Sequence, residues 1–182
     1  MVVDAPPTGR IARFLNISAE MGGLAKVGPI KSQSDGVMDL LRSPLTAVHL
    51  VTLLEEMPLQ ETVDAVADLA ALQLPVGAVV VNAVRTPLLG AADLAAAAEG
   101  TLDRNSITLG LKAAGLDASD STVAVLVAEA EDHAHRVALE ERGRGTLEQL
   151  AKPTYELPLL PEAIDLGGLY ELAALLRQQG LA

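Results

Sequence analysis

Residues 49–84 read HLVTLLEEMPLQETVDAVADLAALQLPVGAVVVNAV, and this stretch decides the fold. It begins with one apolar run, His49-Leu50-Val51-Thr52-Leu53-Leu54. It ends with another, Gly77-Ala78-Val79-Val80-Val81-Asn82-Ala83-Val84. Neither run alternates in polarity. Such near-continuous runs predict strands covered on both faces, as in parallel sheets. Between them, residues 59–72 have helical spacing. Glu61, Asp64 and Asp68 fall on a solvated acidic side, and Val63, Val66, Ala67 and Ala70 on another. Pro58 and Pro75 punctuate the start and the stop. Strand, helix and strand at this length predict a βαβ unit with a right-handed crossover.

Outward from this unit, Met1-Val2-Val3-Asp4 predicts the tail of a further strand. Tyr155-Glu156-Leu157-Pro158-Leu159-Leu160 predicts another, placed at an edge or a strand end by Pro158. Helices are predicted over 32–41, 91–100 and 106–114, the last ended by Gly115. A long helix is predicted over 120–142, capped by Asp120 or Ser121 and broken or kinked by Gly143 and Gly145, with a second helix over 146–151. A final helix covers 169–179, behind Gly167-Gly168. The helix-rich stretch 90–152 interrupts the strand-helix alternation. It is expected as a helical insertion between an α/β core (1–89) and a last strand and helix (153–182), all within one domain.

Composition bounds the rest. The 182 residues suffice for one domain with a real core. Half are hydrophobic, yet there are only two Tyr, one Phe and no Trp, so Leu, Val, Ile and Ala must build that core. This suits helices packed on a parallel sheet better than an aromatic-rich sandwich. The net charge of −11 lacks the clustered Lys and Arg that a duplex requires, so nucleic acid is excluded as a partner, and anionic membrane surfaces are disfavoured. The absence of Cys excludes disulfides, thiolate metal sites and a cysteine nucleophile. No signal peptide or membrane-spanning run is visible, so a cytoplasmic protein is expected.

The residue with most chemical promise is Asp4. A carboxylate at the C-terminal end of a buried strand sits where open α/β sheets place their ligands. In phosphoryl-transfer sites such an acid holds Mg²⁺, usually through water. The following loop, Ala5-Pro6-Pro7-Thr8-Gly9, can offer the Thr8 hydroxyl and the Gly9 N–H to a phosphate. An ordinary turn has the same composition. Asn82, at the end of its strand, carries an amide that both donates and accepts, or it simply ends the strand in a turn. Glu162 and Asp165 suit a helix first turn as well as a ligand. His133 and His135 are two apart on a helix, the wrong spacing for a metal pair, and read as solvated. His49 reads as a core or edge residue, and Glu55-Glu56 as a solvated loop. There is neither a G-x-S-x-G elbow nor a G-x-G-x-x-G dinucleotide loop.

Three segments in order resemble one family. VVDAPPTGR resembles the switch II segment of ArsA-like, deviant-Walker P-loop ATPases, which include arsenite-pump and Get-pathway ATPases. The 49–84 stretch resembles their strand, helix and strand ending in Val-Asn, and LPLLPEAI their adenine loop. The intervening GLAKVGPIKSQSDGVMDLLRSPLTAVHL is most similar to the short actinobacterial members. The resemblance implies a mostly parallel P-loop NTPase-type sheet, with ATP and Mg²⁺ as cofactors. Asp4 would be the catalytic switch acid, helping to organise the metal and the attacking water. Pro7, Thr8 and Gly9 would relay the γ-phosphate state, Asn82 would recognise adenine, and Pro161 and Glu162 would lie in the adenine loop.

The chain departs from that family in one large respect. The pattern G-x-x-x-x-G-K-[ST] is absent, and none of Lys26, Lys31, Lys112 and Lys152 follows a glycine. The water-positioning first switch is also absent. Without a backbone-amide cradle and its lysine, this chain alone is expected not to hydrolyse ATP. The reading is therefore the C-terminal portion of an ATPase, its P-loop lost to a truncated gene model, a contig edge or a mis-called start. When intact, it would couple ATP hydrolysis to anion transport or protein targeting. The alternatives are a P-loop-less paralogue that pairs with an intact ATPase and an unrelated α/β binding module. Expected partners are a second copy or a related ATPase, and a membrane protein or client. The lack of Cys argues against direct arsenite binding.

Overall fold

The computed structural model describes residues 1–11, 13–15, 28–160 and 164–181. In chain order the elements are α1 (Pro29–Arg42), β1 (Val48–Thr52), α2 (Glu56–Ala71), β2 (Val76–Val84), α3 (Ala91–Ala98), α4 (Arg104–Ala113), α5 (Asp120–Glu148), β3 (Thr154–Pro158) and α6 (Leu166–Gln178). Residues 8–11 and 13–15 are also helical. The protein is α/β: among the described residues, the strands form one three-stranded sheet of order β1-β2-β3, parallel throughout. The predicted βαβ unit is therefore present, with α2 crossing between two adjacent parallel strands. Among the described residues, no helix is long and apolar enough to cross a membrane.

The chain divides into two compact units. One comprises Met1–Arg85 with Gly143–Ala182, and the other Thr86–Arg142. The first holds the sheet and two apolar clusters. Leu50, Ala65, Leu69 and Leu74 pack with Ile11 in one, and Leu54, Leu59, Val79, Val81 and Leu147 pack in the other. The buried face of α2 is Leu59, Thr62, Ala65 and Leu69. Their spacing keeps one stripe toward the sheet. Ala67 and Ala70, grouped by spacing with Val63 and Val66 on the side away from the acids, are exposed, because they lie off that stripe. Pro58 lies inside the first turn of α2, where a missing N–H leaves no helix bond unmade.

The second unit comprises α3, α4 and most of α5, with Ala97, Val123 and Ala134 buried. Asp103 caps α4 by accepting the Asn105 N–H at 3.0 Å and the Ser106 hydroxyl. Ahead of α5, Asp117 accepts the Ser119 N–H at 3.1 Å and the hydroxyls of Ser119 and Thr122. Ser119 accepts the Thr122 N–H, so the cap falls at Ser119 rather than at Asp120 or Ser121.

Two predictions about continuity fail for physical reasons. The helix does not break at Gly143 and Gly145, for α5 runs unbroken to Glu148. A Cβ on Gly143 would lie 2.8 Å from Leu59 Cδ1 and 3.3 Å from Leu54 Cδ2. This glycine brings α5 close to α2 and the loop before it; it does not end the helix. Residues 1–7, expected to include a strand tail, form none, and Met1, Val2 and Val3 are exposed. Among the described residues no strand pairs with them, so their backbone has no ladder to join.

Candidate functional site

Parallel strands place ligands beyond their carboxyl ends, so the end of β2 is the first place to look. β2 is covered along its middle, with Ala78, Val79, Val80 and Val81 all buried. Directly after that run, Asn82 is exposed. The register explains the change. Val81 pairs with Glu156 and Val84 with Pro158, so β2 holds one residue more than β3 across this interval. The extra residue forms a bulge, and Ala83 adopts φ 55°, the left-handed region that costs a non-glycine residue about 1 kcal/mol or more. Leu159 N–H then bonds Val84 C=O at 2.8 Å and restores the pairing. A bulge beside a strand end re-aims the neighbouring side chain, and here that side chain is the Asn82 amide.

On the bulged side, Glu156 accepts from Arg144 Nε at 2.7 Å and from Nη2 at 3.2 Å. This forked pair fastens the end of α5 to β3.

Thr8 and Gly9 do not sit in an open loop. They begin the short helical stretch, and Arg10 N–H bonds Pro7 C=O at 2.9 Å. Thr8 Oγ1 donates to Glu61 Oε2 at 3.0 Å. Glu61 lies in the second turn of α2, which starts just after β1, so this bond ties residue 8 near the carboxyl side of the sheet. Ile11, one turn on, is buried against Leu50, Ala65 and Leu69 and anchors the same stretch. Among the described residues, a Cβ on Gly9 would meet nothing within 4 Å, so none of them requires glycine there by close approach. Asp4 is exposed. One such carboxylate fits water-mediated Mg²⁺ ligation, which relies on few protein ligands. Among the described residues, no group of three or more His, Asp or Glu side chains gathers to hold a metal.

The structure thus joins Thr8 to Glu61 and does not join Asp4 to Asn82. Pro161 and Glu162 lie outside the described residues. Asp165 is the cap of α6 and accepts the Gly168 N–H at 2.8 Å, a structural role. His133 is not simply solvated, since its Nε2 accepts the Leu88 N–H at 3.1 Å. His49 stands on the edge strand with its ring against Gly77, where a Cβ would come within 2.8 Å of it. Sequence reasoning missed Glu61, which lay in an acidic helix face with no sign that it takes a distant hydroxyl. It also missed the Ala83 bulge, because alanine gives no signal for a positive φ.

No family model matches the chain. Among curated proteins it is 48% identical, over 181 residues, to ATPase BagA of Mycobacterium tuberculosis. It is equally similar to the putative ATPases MT3781 of Mycobacterium tuberculosis and Mb3704 of Mycobacterium bovis. These alignments take in 100% of this chain and 53% of each relative. The chain spans about half the length of the curated relatives it matches.

Proposed function

We propose that this chain is the base-binding half of an ATP-hydrolysing protein of ArsA-like type. One observation carries the reading: every part of the chain aligns, at 48% identity, with proteins named ATPases. The fold agrees, since a parallel sheet with an exposed amide at the carboxyl end of its central strand suits a purine ring. In this reading Asn82 contacts adenine, Asp4 holds Mg²⁺ through water, and Thr8 and Gly9 report on the terminal phosphate. ATP supplies the energy for anion transport or protein targeting, and the protein works as a dimer. The phosphate side does not fit this chain's own residues, because no lysine follows a glycine in any P-loop pattern. Phosphoryl transfer therefore needs groups from elsewhere.

The test is a backbone-amide NMR titration of the purified chain with ATP, adenosine and GTP. Shifts are expected at Asn82, Ala83 and Val84 for both adenine compounds, much weaker for GTP, and lost in Asn82→Ala. No phosphate release is expected from the chain alone. Equal shifts with GTP, or none near Asn82, would overturn the assignment.

A further inference from the structure

Ala83 holds a backbone conformation that its own side chain disfavours, and such strain persists only where the surroundings over-determine it. Those surroundings begin at one rung of the sheet. Val81 and Glu156 are the last register partners before β2 takes its extra residue. The end of α5 meets both of them. Leu147 packs with the fully buried Val81. Arg144, three residues earlier on the same helix face, forks onto the Glu156 carboxylate. Gly143 lets this stretch of helix come close, since a Cβ there would collide with Leu59, a member of the Val81 cluster.

Glu156 is held from its outer side as well. Gln179, the C-cap of α6, accepts the Glu156 N–H through Oε1 at 2.8 Å and donates Nε2 to the Glu156 C=O, also at 2.8 Å. Beyond the bulge, Pro158 pairs with Val84 and has its own φ fixed by its ring. β3 is therefore gripped on both sides of the interval in which β2 has one residue more. Without that grip, β3 could slide one residue along β2. The bulge would then be absorbed, and Asn82 would lose the aim the bulge gives it.

We infer that Arg144 and Glu156 are positioning residues for Asn82: their ion pair fixes the rung against which the bulge forms, and so sets where the Asn82 amide points. That the amide meets adenine rests on the ATPase reading above; that the pair sets its direction does not. The pair suits the task. Its side chains are 29% and 37% exposed, so water screens it less than the Lys31–Asp35 pair, at 43% and 56%. The guanidinium fork also fixes an angle as well as a distance, which a lysine does not.

The test is NMR on the 182-residue chain and on Arg144→Gln, Arg144→Lys, Glu156→Gln and Lys31→Gln. The Ala83 Cα and Cβ shifts report its left-handed backbone with no ligand present. An adenosine titration followed at Asn82 reports binding. Arg144→Gln should move the Ala83 shifts toward those of an extended residue and weaken adenosine about tenfold. Glu156→Gln should do the same, and the double variant no more, because each loses one shared interaction. Arg144→Lys should retain part of both signals, and Lys31→Gln all of both. If Arg144→Gln does not fold, Arg144→Lys and Glu156→Gln carry the same comparison. Ala83 shifts that stay in place when the pair is lost would overturn the proposal even if the thermal melt falls, since the pair would then only fasten α5. Equal movement in Lys31→Gln would overturn it too. Binding is scored separately. Ala83 moving in a chain that takes no adenosine would sink the ATPase reading and keep the positioning. Adenosine binding at Asn82 with Ala83 indifferent to Arg144 would do the reverse.

Discussion

β1 and β3 flank the same central strand with the same polarity, yet among the described residues only β3 is sealed. Its seal comes from residues distant in sequence: Arg144 grips the Glu156 side chain, and Gln179 takes the Glu156 backbone. β1 leans on its α2-facing side, through Leu50 and Thr52, and leaves Val51 in solvent. The difference shows that an edge is only partly a property of a strand's own residues. β3 carries Pro158, and β1 has no proline or acid. What separates them further is that a helix end returns to satisfy the free backbone groups of Glu156.

The comparison can be broken or sharpened by substitution. The largest effect is expected from Leu69→Ala. Leu69 is fully buried in the cluster beneath β1, and its loss should cost about 2–5 kcal/mol in a denaturant titration. Both edges should then unfold in one transition, whereas loss of β1 alone would show that the sheet is not cooperative. Next comes Gly143→Ala, which forces a methyl against Leu59 and Leu54. It should cost about 1–3 kcal/mol and weaken the β2–β3 side where those residues pack. Gln179→Ala should cost only about 1 kcal/mol but should change the edge itself. The Glu156 amide should exchange faster and approach the behaviour of β1, while β1 stays as it was.

Acid offers a control that belongs to the other unit. The Asp103 carboxyl is held below the usual range by the Ser106 hydroxyl and then the Asn105 N–H, and Asp117 by the hydroxyls of Thr122 and Ser119. A carboxyl with a lowered folded-state pKa contributes stability above its unfolded value and loses it as pH falls through the lower, folded one. Helical circular dichroism should therefore decline below the ordinary carboxylate range. An Asp103→Asn, Asp117→Asn variant, whose caps carry no charge, should decline less steeply.

The sequence made the βαβ unit plain because hydrophobic runs and helical spacing are local signals. β2 matches its run within one residue, 76–84 against 77–84, and β3 takes the edge position that Pro158 announced. Long-range features were silent. The run at 49–54 resembles a strand covered on both faces, yet Val51 is exposed, because coverage depends on what packs above it. Gly143 looks like a helix breaker until Leu59 is seen against it. The candidate site was legible in part. Asn82 at a strand end was readable from the motif, but the bulge that turns it outward rests on a pairing with β3 more than seventy residues later. Thr8 was noticed for its hydroxyl, and its partner Glu61 could come only from the folded chain.

The contrast between the edges is tested most directly by residue-resolved hydrogen exchange on the chain by itself. The account predicts that the Glu156 amide is protected and becomes fast in Gln179→Ala, while the outward-facing amides of β1 exchange fast in both proteins. Equal protection of β1 and β3 in the unsubstituted chain, or a Glu156 amide indifferent to Gln179, would contradict it.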